Sequence, residues 1–362
     1  MEIKYIWVIK YFRNMTGPIS SLIKRVFTLA LVSIIIPGSL HAYPSETDNK
    51  SAPAPLPLHS SWVDSVFNNM TLNEKIGQLF MVAAYSNKGP EHTQDILRLI
   101  KKHHIGGLIF FQGTPEKQAK LTNIYQYNAK IPLMIGMDAE WGLGMRLDSV
   151  ISYPRQMTLG AISDDSLIYK MGLDIGAQLR RLGVHVNFAP VVDINNNPAN
   201  PVIGSRSFGE DRNNVAGKGI AYMNGLQDRN VLAVAKHFPG HGDTDKDSHK
   251  TLPVISHDSL RLDSIELYPF KRLISNGVGG VMTAHLNIPS LIDEPNRPST
   301  LSKKVVTHML KDQLGFNGLV FTDALNMKGV TNNFQSGEIE IEALKAGNDV
   351  LLYPQDVSGK GI

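Results

Sequence analysis

The sequence predicts a parallel α/β fold, a (β/α)8 barrel of the TIM type, and three observations lead there. Eight short apolar runs recur along the chain, at residues 79–84, 107–111, 133–137, 186–192, 232–235, 280–283, 319–321 and 350–353. Runs of that length between turn-forming residues read as strands buried on both faces. Amphipathic stretches of helical period lie between most of them, for example at 95–102, 166–182, 259–275 and 303–314. Asp138, Asp193, the pair Lys236-His237, His285 and Asp323 each stand at the C-terminal end of a run. In a barrel those ends converge on one face, where active sites are built. An open doubly wound sheet would place a glycine-rich turn after its first strand, and none follows residues 79–85.

Taken in order, the chain opens on a leader. Lys24-Arg25 precedes an apolar core of about eleven residues, 26–36, and Pro37-Gly38 then leads to Ala42. A basic region, a short apolar core and a small residue at the end are the marks of a secretory signal. The core is short for a bilayer span, so export with cleavage after Ala42 is favoured over an uncleaved membrane anchor. Met15 could serve as the true start. Removing residues 1–42 takes away Lys4, Lys10, Arg13, Lys24, Arg25 and Glu2, which moves the net charge from +3 to −1. No basic tract then remains to suggest nucleic acid. Cysteine is absent, which excludes disulfides, thiolate metal sites and thiol catalysis. Residues 43–60 are rich in Pro, Ser and Ala and read as a linker or N-terminal arm. The catalytic unit is expected over 61–362, and Thr71-Leu72-Asn73-Glu74 has the capping-box spacing that opens a helix. The chain ends about eight residues after the eighth run, short of the helix that completes such a barrel. A barrel lacking its last helix is therefore expected, completed by a further C-terminal domain or a partner chain.

The segment KHFPGHGDTDKDSH, from Lys236 to His249, is the most informative in the chain. It follows the apolar run directly and concentrates histidines, lysines and aspartates, with Pro239, Gly240 and Gly242 to shape a loop. Asp247 and His249 are one residue apart, so in an extended loop their side chains share a face. There the carboxylate can set the imidazole's tautomer and favour its protonated form, as a general acid/base pair requires. The competing explanation is a metal site drawn from His237, His241, Asp243, Asp247 and His249, whose spacing matches no compact zinc signature. Asp323, in Val320-Phe321-Thr322-Asp323-Ala324-Leu325-Asn326-Met327, is placed for nucleophilic attack or for stabilising a cation. Its alternative role is a helix N-cap. Arg206, in the polar loop 195–211, could grip a sugar hydroxyl or carbonyl in bidentate fashion. Asp138 can accept hydrogen bonds from adjacent hydroxyls. Asp193 and His285 are weaker candidates, better suited to supporting positions.

KHFPGHGDTDKDSH, FTDALNM and PLMIGMDAEWG together resemble glycoside hydrolase family 3, and within it the β-N-acetylglucosaminidases (β-hexosaminidases). The likeness runs from about Ser61 to Pro354. It implies Asp323 as nucleophile and Asp247/His249 as acid/base, with Asp138, Arg146, Arg206, Lys236 and His237 holding the terminal sugar. It implies retaining exo-hydrolysis of β-linked N-acetylglucosamine, from peptidoglycan fragments or chitin-type oligosaccharides, by a periplasmic or extracellular enzyme. The partner expected is a small oligosaccharide; no cofactor, metal or nucleic acid is. A β-glucosidase or an N-acetylglucosaminide phosphorylase on the same barrel, or a truncated sugar-binding module without turnover, are the alternatives. Two departures stand out: the absent last helix, and Trp141 in place of a small residue, which is expected to alter the pocket rim.

Overall fold

A computed structural model describes residues 61–248, 250–332 and 334–354. The leader, the arm, His249 and residues 355–362 lie outside the described residues. Two helices, Ser61–Asn68 and Leu72–Gly77, lead in. The second starts at the expected capping box: Thr71 Oγ1 accepts from the Glu74 amide at 3.3 Å, and Glu74 Oε2 accepts from the Thr71 amide at 2.8 Å.

Eight parallel strands follow: β1 Phe80–Tyr85, β2 Gly107–Phe111, β3 Met134–Met137, β4 Val186–Asn187, β5 Leu232–Phe238, β6 Gly280–Thr283, β7 Leu319–Thr322 and β8 Leu351–Leu352. Each pairs with its sequence neighbour from β1 through β7, and β8 returns to β1. Between β7 and β8 the ladder thins to a bridge at Phe321 and Val350. Backbone bonds still cross there: Thr322 N donates to Val350 O at 3.0 Å and Leu325 N to Leu352 O at 3.0 Å. The result is a TIM-type barrel with one seam.

Strand parity divides the apolar residues into two cores. Met81, Ile109, Met134, Val186, Phe188, Leu232, Val234, Met282, Leu319, Phe321, Val350 and Leu352 fill the barrel. Their neighbours along the strands, such as Ile135, Met137, Ala233, Ala235, Val281 and Val320, face outward against the helices. Each fully buried large side chain contributes about 2 kcal/mol of transfer free energy, so a slip of register would be strongly resisted.

Several elements differ from expectation for identifiable reasons. The run at 186–192 forms only a two-residue strand, because Pro190 has no amide to lend the ladder. The stretch 259–275 breaks into Ser259–Ser264 and Tyr268–Ser275, with Pro269 at the start of the second helix. The helices Asp165–Arg181 and Arg212–Gln227 lie in unusually close contact: a Cβ at Gly225 would sit 2.3 Å from the Tyr169 carbonyl oxygen. No helix among the described residues is long and apolar enough to cross a membrane.

Candidate active site

On three strands the alternation that fills the barrel, continued past the last inward apolar side chain, puts a charged group at the mouth. After Val234 comes Lys236, and after Phe321 comes Asp323; β3, whose Met134 points inward, continues through Gly136 to Asp138. These groups line a cavity of about 440 Å3 at the C-terminal ends of the strands. That volume lies in the range of small-molecule sites. Asp138, Arg146, Arg206, Lys236, His237 and Asp323, all expected from the sequence, share this one cavity. Glu140, His241 and Ser248 line it as well.

The charges are compensated in a chain. Asp138 accepts from Arg146 Nη2 at 2.5 Å and from Lys236 Nζ at 2.9 Å. Lys236 Nζ also lies 2.8 Å from Glu140 Oε1. Glu140 in turn takes the guanidinium of Arg206 on both oxygens, from Nε at 3.0 Å and Nη2 at 2.7 Å. Burial alone would raise Glu140, yet Arg206 and Lys236 outweigh it and hold the carboxyl down to about 2. Burial likewise opposes ionisation of Asp138, and Lys236 and Arg146 keep it well below the usual carboxylate range. The same contest on Arg206, burial against the Glu140 carboxylate, ends with the guanidinium more firmly protonated than usual.

Arg206 therefore differs from expectation. Its fork is occupied by Glu140, leaving Nη1, which reaches the Val202 carbonyl at 3.4 Å, as the freest donor toward a ligand. Sequence inspection overlooked Glu140. The available signal was its spacing of two from Asp138 at a strand end, which can turn both carboxylates to one side.

Asp193 supports rather than faces the cavity. It lies 2.7 Å from His237 Nδ1 and accepts from the His237 and His241 amides at 3.1 and 2.7 Å. Burial opposes its charge, and His237 overcomes this to hold it below its ordinary value. His237 Nε2, thus oriented, stands 3.4 Å from Arg206 Nη2 at the cavity. His285 is fully buried, bonded to Thr300 Oγ1 at 2.9 Å and the Ala324 carbonyl at 3.0 Å, again a supporting position.

Asp323 Oδ1 accepts from the Ala324 amide at 2.7 Å, and the next helix, Lys328–Thr331, is capped at Met327. The N-cap alternative is thereby removed. Asp247 is half-buried, and its carbonyl accepts from the Lys250 and Thr251 amides at 2.9 and 3.0 Å. The chain turns there, where an extended stretch was expected. His249 lies outside the described residues. Trp141 stacks under the Arg155 guanidinium, 3.3 Å from the ring centroid, and does not line the cavity. Among the described residues, the one His/Asp/Glu group within ligating reach is Asp243, His257 and Glu266, and Arg261 donates into it at 2.9 Å from Glu266 Oε1.

Comparison with known proteins places this geometry in context. The profile of the Glycosyl hydrolase family 3 N terminal domain matches residues 71–360. Beta-hexosaminidase A of Pseudoalteromonas piscicida is 37% identical over 295 residues, 75% of this chain and 49% of that protein. Beta-hexosaminidase LpqI of Mycobacterium tuberculosis is 32% identical over 327 residues, 85% of this chain and 81% of its own. A solved family 3 β-N-acetylglucosaminidase from Paenibacillus superposes with a TM-score of 0.75 at 41% identity, covering 80% of this chain and 56% of that one. The chain thus spans about half the length of the Pseudoalteromonas and Paenibacillus proteins it matches.

Proposed function

The chain belongs to glycosyl hydrolase family 3, and on that premise we propose that it is a retaining exo-β-N-acetylglucosaminidase. Asp323 attacks the anomeric carbon while the imidazole of His249 donates its proton to the leaving oxygen, so the glycosidic bond breaks as the glycosyl–aspartate bond forms. His249 then removes a proton from water, water displaces Asp323, and the sugar leaves with its original anomeric configuration. Asp247 favours the imidazolium in the first step. Asp138, Arg146, Lys236 and His237 hold the terminal sugar, with Arg206 acting mainly by keeping Glu140 and Lys236 in place.

The observation that carries this reading is the cavity itself. A carboxylate on the end of β7 shares about 440 Å3 with Asp138, Arg146, Lys236 and His237, whose polar atoms can grip hydroxyls. An imidazole in place of the usual second carboxylate also removes a negative charge that would repel anions. Phosphate can therefore compete with water as acceptor. Polypeptides carrying a leader such as residues 1–42 are exported, so the enzyme is proposed to work outside the cytoplasm, on peptidoglycan fragments or chitin-type oligosaccharides.

Turnover of p-nitrophenyl β-N-acetylglucosaminide against the β-glucoside tests the substrate class. Asp323→Ala should lower kcat by roughly 10^3-fold or more, as expected for loss of a covalent nucleophile; full retention would remove Asp323 from the mechanism. Product analysis with and without phosphate separates free sugar from sugar 1-phosphate. Binding without turnover would favour a sugar-binding module.

A further inference from the structure

His241 is buried, carries a titratable ring, and has no part in the steps above. All of its polar groups are nonetheless engaged. Its amide donates to Asp193 Oδ1 at 2.7 Å and its carbonyl accepts from Asn200 Nδ2 at 2.8 Å. On the ring, Nδ1 lies 2.8 Å from Thr244 Oγ1 and Nε2 lies 3.1 Å from Ser248 Oγ. Burial, with the neighbouring His237, pushes the ring down to about 4, so it is a neutral group with one donor and one acceptor. A hydrophobic residue of equal size would fill this space without the cost of burying a polar ring. The imidazole is used for the two hydroxyls it joins.

Ser248 stands in the chain between Asp247 and His249. Its carbonyl accepts from the Gly329 amide at 3.2 Å, in the segment that follows Asp323. One residue thus touches the floor of the β5 loop through His241 and the β7 loop through Gly329. Gly242 seats the base of the loop: a Cβ there would lie 1.7 Å from the Ile194 carbonyl oxygen. We propose that His241 is a positioning residue that pins Ser248, and through it restrains the backbone from which the proton-donating pair acts. This rests on the mechanism proposed above.

The consequence is selective. Departure of a poor leaving group needs the proton, whereas departure of a highly acidic phenol does not. His241→Ala and Ser248→Ala should lower kcat/KM for phenyl β-N-acetylglucosaminide by about 100-fold, the scale of a misplaced general acid, with little change for the 2,4-dinitrophenyl substrate. Azide, which attacks the glycosyl-enzyme without needing a base, should restore kcat on the dinitrophenyl substrate. His241→Gln, which keeps a donor and an acceptor, should recover part of the loss. Equal losses on both substrates, or none on either, would overturn the assignment. Amide exchange in the intact protein gives an answer that needs no turnover: the two alanine variants should exchange faster over 243–251 than wild type, and unchanged exchange would overturn the anchor. If His249→Ala also lacks any dependence on the leaving group, it is the acid/base reading that fails, while the exchange result still decides the anchor.

Discussion

Glu140 shows how a residue can dominate a site without being the one that reacts. It is fully buried, and its two oxygens take Arg206 and Lys236, which otherwise would stand beside each other as like charges. Glu140→Gln should destabilise the protein by about 3 kcal/mol, the cost of leaving buried cations partly unpaired. It should also raise KM more than it lowers kcat, because Lys236 would lose one of its two fixed points. Urea titration and steady-state kinetics of the variant check both; an unchanged midpoint would show the pairing to be energetically idle. At this scale the sequence was partly legible. Asp138, Lys236 and Asp323 announce themselves because a charge directly after a buried apolar run has few places to point. The pairing of Arg206 with Glu140 could not be read, since 66 residues separate them and only the closed barrel brings them together.

Secondary elements were legible where apolar spacing did the work. The helix Asp165–Arg181 buries Ile168, Met171, Ile175 and Leu179 on one stripe, and the expected span 166–182 falls almost on it. Arg212–Gln227 buries Val215, Tyr222, Met223 and Leu226, but its contact with Asp165–Arg181 depends on more than an apolar stripe. The close approach there is made at Gly225, whose contribution is an absence of side chain, and apolar periodicity cannot register an absence. Gly225→Ala should therefore cost about 2 kcal/mol through overpacking against the backbone of Asp165–Arg181. That outweighs the better helix propensity of alanine. A stabilised variant in thermal denaturation would mean that the two helices can part more easily than their contact suggests.

For the molecule as a whole, the buried titratable groups make acid the natural denaturant. His185 and His241 are pushed down to about 3 and about 4 from an ordinary 6.5, in both cases chiefly by burial. The unfolded chain takes up those protons first, so their contribution is complete above pH 6.5 and lost as pH falls toward 4 and then 3. Glu140, held to about 2 against an ordinary 4.5, adds stability that is present above 4.5 and lost as pH falls through 2. Urea midpoints should thus hold near pH 7, decline by pH 5, and fall further at pH 3; a flat profile between 7 and 5 would mean that the two imidazoles are protonated in the folded state. Barrel closure was legible from the count of eight runs, but its weakest joint was not, because strand length at β8 depends on neighbours rather than on composition. That joint matters beyond stability. Leu352 N donates to Thr322 Oγ1 at 2.9 Å, and Leu325 N donates back to Leu352 O, so β8 grips the chain on both sides of Asp323. During synthesis Asp138, Arg146, Arg206, Lys236, His237 and Asp323 all emerge before that grip exists. A nascent chain halted ahead of Val350 would carry Asp138, Lys236 and Asp323 with β7 held by β6 on one side alone, so the final placement of Asp323 waits on β8.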